Sequence, residues 1–229
     1  MNTESTATLH TVIGLGNPGD RYAHTRHNVG VEAVMRSARM FDVDAWQHDS
    51  YANARIAEGE SSSAGVVRFV LPDTYMNRSG DSVRVLCATE RECGELIVVH
   101  DDIDLPEGSV RIVHGRGSGG HNGVRSIEGV LGARAFTRVR IGVLPVIDGV
   151  VRKPAGEGAV SAFVLKQCSK DTWARMEEYA QRAAHAVQLI VEHGNEYAMQ
   201  ECNVREKRGR ASVEVGDDNG TTGAIENEV

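Results

Sequence analysis

The sequence predicts an α/β fold: a single domain with a mixed, twisted β-sheet surrounded by helices. Three observations predict it. Short continuous apolar runs at 11–13 and 96–99 have the character of strands buried on both faces. Apolar residues recur at helical spacing at Val31, Val34, Met35 and Ala38, and again along 173–191. Strand-like and helix-like segments are interleaved, with hairpin-like and crossover-like connections both present.

Taken in order, residues 1–7 are a loose end and Leu9 to Ile13 is a first strand. A loop over 14–28 leads to a helix over 29–40. Residues 52–57 and 65–71 alternate or are β-rich, and the serine-rich turn between them predicts a hairpin. After the loop LPDTYMNRSG, Val83, Leu86 and Cys87 place a helix. A central strand over 96–99 runs into HDDIDLP, a strand follows over 110–113, and a glycine-rich loop spans 115–123. A helix over 124–131 and an alternating strand over 136–143 come next. Residues 144–160, rich in Gly and Pro, are expected to be loop. Ser169 is placed as the N-cap of a long amphipathic helix that ends near Gly194, with a last helical piece over 196–202.

The chain has 229 residues, 41% hydrophobic and 25% charged, which is enough for one well-formed core. No apolar run approaches the length of a bilayer span, and the polar start MNTESTATLH gives no expectation of a secretory leader. The four cysteines form no CxxC pair, so reduced thiols are the simplest expectation. The net charge of −7 argues against a polyanionic partner until its distribution is considered. Residues 209–229 carry five acids and one base, so the rest of the chain is near −3. The domain is therefore placed at 8–204, with an acidic tail over 205–229 expected to be disordered.

Gly14, Gly16 and Gly19 satisfy the spacing of a dinucleotide-binding loop after a strand. That fingerprint requires a helix to begin at once, with its N-terminus on the pyrophosphate, and an acidic residue about twenty positions on. The next residues are DRYAHTRH, and no such acid follows a second strand, so no cofactor is expected. A different set stands out at element ends: Asn17 and His27, Asn77, Asp101, and His121 with Asn122. A histidine can take a proton from water near neutral pH, an aspartate can fix its tautomer, and asparagine amides can donate to a developing oxyanion without changing charge. No serine or cysteine sits in a nucleophile-elbow context, so direct attack by water on a neutral polar carbonyl is the expected chemistry. His24, His100 and His114 match no metal-ligand spacing, and no metal is expected.

The motifs GLGNPGDRYAHTRHNVG, PDTYMNRSG, HDDIDLPEGSVR and GSGGHNGVRSI, in that order, resemble the bacterial peptidyl-tRNA hydrolase family. The resemblance covers roughly residues 9–204. It implies cleavage of the ester between a peptide and the 3′ ribose of tRNA by a monomeric, cytoplasmic α/β enzyme. By motif position it implies His27 as the essential base, Asp101 as its partner and Asn122 as the residue that positions water or the oxyanion. It further implies Asn17, Tyr22, Asn77 and His121 around the substrate, with Tyr22 stacking on the terminal nucleoside. Arg111, Arg116, Arg125 and Arg140, clustered around the second glycine loop, are the expected tRNA contacts, with Arg138, Lys166 and Lys170 nearby. The sequence departs from the family pattern in three places. Arg116 replaces a usual glycine, Val113 an often basic residue, and VLPVIDG a glycine-rich stretch after RIG. These bear on tRNA contacts more than on the catalytic set. A non-hydrolytic RNA-binding protein of the same fold is the rival reading.

Overall fold

The computed structural model describes residues 8–89, 95–147, 150–204 and 213–214. Its main sheet has seven strands in the order β2-β3-β4-β1-β5-β7-β6. These are β1 (Leu9–Gly14), β2 (Gln47–Asp49), β3 (Ala54–Ser61), β4 (Gly65–Pro72), β5 (Glu95–Pro106), β6 (Val110–His114) and β7 (Thr137–Leu144). β1 pairs in parallel with β4 and β5, and β5 with β7, whereas β2/β3, β3/β4 and β6/β7 are antiparallel. The sheet is mixed, as the sequence predicts.

Side-chain alternation along the central strands divides the core in two. Val12, Ile97 and Val99 face one side, where they meet α1 (Val29–Met40) and the long helix α5 (Lys170–Val204). Ile13, Leu15, Val70 and Val98 face the other, where α2 (Ser79–Leu86) and α3 (Asn122–Leu131) supply Val83, Val124 and Ile127. The result is a three-layer domain. Ser169 caps α5 by accepting a hydrogen bond from the Thr172 N–H at 3.2 Å. Gly194, at φ 82° and ψ 169°, breaks that helix where the sequence places its end, and a last helical stretch follows.

Several expectations change. β5 runs through His100-Asp101-Asp102 to Pro106, past the predicted strand end, because β7 continues to pair with it through a register shift after Asp102. Residues 144–160 are not all loop. They hold β8 (Val146–Ile147), β9 (Val150–Arg152) and the start of α4 (Glu157–Val164), a helix whose run AVSAFV lacks the polar face that makes a helix visible by periodicity. β2 is too short and polar to have been read. Cys87 is disulfide-bonded, which corrects the expectation of reduced thiols, whereas Cys168 is free. The absence of a CxxC motif argues against metal and redox motifs but not against a disulfide. The tail over 205–229 lies outside the described residues except for Val213–Glu214, which pair in parallel with β9.

Because β1, β4 and β5 are parallel, the loops after β1 and β4 and the end of β5 open at one edge of the sheet. Ligands in open α/β sheets bind at that carboxyl edge. β6 ends at the opposite edge, where His114 pairs with Thr137. The glycine-rich stretch after it travels back along the face and delivers His121 and Asn122 to the level of Asp101. Arg138, buried beneath, donates from Nη2 to the Gly117 carbonyl at 2.9 Å and holds that stretch to the sheet.

Candidate active site

The loop after β1 makes two 3₁₀ turns, Asp20–Tyr22 and Arg26–Asn28, before α1 begins at Val29. Only a three-residue 3₁₀ turn follows Gly19, and the α-helix that a dinucleotide loop needs at that point begins at Val29. Gly14 and Gly16 serve close packing instead, and Gly19 supplies a positive φ of 96°. A Cβ on Gly16 would lie 2.5 Å from Val31 Cγ2, and one on Gly30 would lie 2.5 Å from the Val99 carbonyl oxygen. This approach presses the His27 turn onto the end of β5.

His27 Nδ1 lies 2.8 Å from Asp101 Oδ1, and both residues are buried. His121 Nε2 reaches the same oxygen at 3.0 Å. The Val124 N–H donates to His121 Nδ1 at 3.3 Å, so the His121 ring proton sits on Nε2 and is donated to Asp101. His27 likewise donates from Nδ1. Its Nε2 then carries the lone pair and has no partner among the described residues. His100, fully buried, donates from Nδ1 to the Asp101 carbonyl at 2.7 Å and packs on His121 with ring centroids 4.6 Å apart.

The electrostatics follow from this arrangement. Burial raises the Asp101 pKa, but attraction to His27 and His121 and their hydrogen bonds outweigh it and hold the carboxyl well below the usual carboxylate range. Burial lowers the His27 pKa, yet the Asp101 charge and hydrogen bond leave it above 6.5. His100 goes the other way. Burial, helped by His121 and Arg138, pushes it well below 6.5 against the pull of Asp101.

A cleft of about 800 Å³ opens on this cluster, lined by Asn17, Asn77 and Asn122 together with His27, Asp101 and His121. Asn17 is fixed at both ends. The Met76 N–H donates to its Oδ1 at 2.8 Å, and its backbone exchanges hydrogen bonds of 2.9 Å with the side chain of Asn28. Its Nδ2 is left for a ligand. Asn122 is the first residue of α3, so its amide stands at the positive end of a helix. Ile103 and, on and just after α4, Val160, Val164 and Leu165 add apolar lining beside Glu157 and Ser161. α4 is held to the catalytic loop by Arg26, whose guanidinium sits 4.4 Å above the Phe163 ring, and by the Thr25–Gln167 bridge. Lys153 Nζ meets Asp104 Oδ1 at 2.5 Å beside the cleft mouth.

Among the described residues, His27, Asp101 and His121 also have ligating atoms within 4.8 Å of one another. Both histidine nitrogens that face Asp101 carry protons donated to it, so a metal would have to displace both. The cluster fits a hydrogen-bonded relay better than a ligand set.

Other predicted residues lie elsewhere. Tyr22 does not line the cleft. It packs edge-on against Tyr75, with centroids 6.4 Å apart, and Tyr75 lines it. Arg140 is ion-paired to Asp102 at 2.6 Å, and Arg111 donates to the Asn203 carbonyl at 3.0 Å. Arg125 lines the cleft and Arg116 is exposed on the glycine-rich stretch. Tyr75, Asn28 and the α4 wall are site residues that the sequence alone does not single out. The first two lie inside quoted motifs, where their chemistry was visible but their contacts were not.

The family model for peptidyl-tRNA hydrolase matches residues 11–210. The chain belongs to the peptidyl-tRNA hydrolase family. Peptidyl-tRNA hydrolase from Syntrophotalea carbinolica is 38% identical over 200 residues, 86% of this chain and 98% of that one. The Mycobacterium avium enzyme of that name is 40% identical over 82% of this chain and 93% of its own. The crystal structure of peptidyl-tRNA hydrolase from Acinetobacter baumannii superposes with a TM-score of 0.73 at 32% identity, covering 86% and 95% of the two chains. Membership in the peptidyl-tRNA hydrolase family accounts for the four motifs converging on one cleft.

Proposed function

We propose that this protein hydrolyses the ester of peptidyl-tRNA, releasing tRNA and peptide, by attack of a water that His27 deprotonates. The observation that carries the reading is the His27–Asp101 pair, with a free Nε2 facing a cleft lined by three asparagines. Asp101 fixes the reactive tautomer and stabilises the imidazolium that forms, and His121 holds the other side of the same carboxylate oxygen. Asn122, at the N-terminus of α3, orients the water or donates to the tetrahedral oxyanion. Asn17 Nδ2 and Asn77 hold peptide carbonyls, contacts that read backbone and not side-chain identity. The imidazolium then returns its proton to the departing ribose oxygen. No step requires a metal or cofactor.

Arg116 and Arg125 hold tRNA phosphates, with Lys166 and Lys170 as further exposed cations. No helix among the described residues is long and apolar enough to cross a membrane. A monomer acting in the cytoplasm completes the proposal. The test is hydrolysis of N-acetyl-aminoacyl-tRNA beside aminoacyl-tRNA. Turnover of the first, with the second largely spared, is expected, and no turnover by the folded protein would refute the reading.

A further inference from the structure

A second cavity, of about 420 Å³, adjoins the catalytic cleft and shares Tyr75 with it. Tyr51 stands at its other side, 89% exposed. This tyrosine is presented by a built turn. Asp49 Oδ1 accepts from the Tyr51 and Ala52 N–H groups, both at 2.9 Å, and the next residue, Asn53, takes a left-handed φ of 45°. The Asn53 carbonyl accepts from Asp73 N at 2.9 Å, which ties the turn to the segment carrying Tyr75. The edge-on contact with Tyr22 braces Tyr75 and leaves it 54% exposed. Tyr51 and Tyr75 thus line one cavity, with Tyr22 packed behind Tyr75.

The polar groups of the cavity decide what it suits. Asp73 is paired with Arg55 at 3.3 Å, and Asp81 with Arg78 at 2.7 Å and Arg84 at 3.3 Å. Arg78 lines the cavity beside these two carboxylates and keeps 70% of its side chain exposed. The side-chain amide of Asn53 makes no hydrogen bond among the described residues and can pair with a base edge. α2, which follows Arg78, packs on α3 through the Gly80 N–H to Ser126 Oγ bond of 3.0 Å, so the cavity neighbours the face that carries Arg125. Aromatic faces beside exposed guanidinium groups are how proteins hold single-stranded nucleic acid. A peptide side chain is already offered apolar lining in the catalytic cleft by Val160, Val164 and Leu165.

Resting on the hydrolase reading, we infer that the Tyr51–Tyr75 cavity is a nucleobase subsite for the unpaired 3′ end of the tRNA. It holds the base that precedes the esterified nucleoside, and Tyr22 acts by bracing Tyr75.

The test uses the full chain with Tyr51→Ala and two esters: N-acetyl-aminoacyl-tRNA, and the N-acetyl-aminoacyl ester of adenosine alone, which lacks the preceding base. Tyr51→Ala should raise KM for the tRNA ester by about fivefold or more, with kcat within about twofold, and leave the adenosine ester unaffected. Tyr51→Phe, which keeps the ring, should restore the KM. An unchanged KM for the tRNA ester overturns the subsite while leaving the hydrolase reading intact. An equal loss on both esters also overturns it, because the cavity would then hold the adenosine or the peptide. Wild-type protein that cleaves neither ester overturns both.

Discussion

The buried histidine–aspartate cluster and the arginines around the second glycine loop are both made of polar residues singled out by the same motifs, yet the fold treats them differently. In the cluster every sequence-selected residue reaches the cleft, and the hydrogen bonds among His27, Asp101 and His121 assign a proton to each ring. Among the arginines, Arg138 is buried under a loop, Arg140 is paired with Asp102 and Arg111 is spent on Asn203, while Arg116 and Arg125 face outward. A buried polar group must find its partner, so its chemistry constrains its place. A long cationic side chain can satisfy itself with whichever carboxylate or carbonyl is near, so its sequence position says little about its use.

Substitutions can break or sharpen this contrast. His27→Ala should lower kcat/KM for N-acetyl-aminoacyl-tRNA by about a hundredfold or more, with the fold unchanged by circular dichroism. A near-native rate would remove His27 as the base. Asp101→Asn keeps an oxygen for both histidines but loses the charge, and should cost about tenfold to a hundredfold in single-turnover rate. Arg140→Ala should behave as a structural change. It leaves the largely buried Asp102 carboxylate unpaired, so urea unfolding should show a loss of about 1–3 kcal/mol with activity within about threefold. A loss of activity without a loss of stability would move Arg140 into the tRNA set. Arg116→Ala and Arg125→Ala should do the reverse in milder form. Each should raise KM about two- to fivefold, lower the slope of log affinity against log salt by about one, and leave stability within about 0.5 kcal/mol.

The same contrast explains what could be read from the sequence. The strands around β1 and β5 are continuous apolar runs, and the Val12/Ile13 alternation that splits the core follows from strand geometry. Asn17, His27, Asn77 and Asn122 were legible because each sits at an element end beside residues that fix its backbone, and Asp101 because a buried apolar run leads directly to it. Three things were not. α4 has no polar face, so its run of small and apolar residues looks like the loop around it. The extension of β5 through HDDIDLP depends on pairing with β7, a contact more than thirty residues away that local propensity cannot register. Tyr22 and Tyr75 are both plausible stacking residues by type, and only the fold decides that Tyr75 faces the cleft and Tyr22 supports it.

The central claim is that Asp101 tunes His27 as a base. His27 works only when unprotonated. A pKa held above 6.5 by the Asp101 charge therefore places the acid limb of the rate above pH 6.5. With that charge removed, burial and a hydrogen bond to a neutral amide oxygen remain, and burial lowers a histidine pKa. The most direct measurement is the pH dependence of kcat/KM for wild-type protein and Asp101→Asn on the same N-acetyl-aminoacyl-tRNA. The account predicts an acid limb that moves to lower pH in the variant than in the wild type, even as the plateau rate falls. An acid limb at the same pH in both proteins would contradict it.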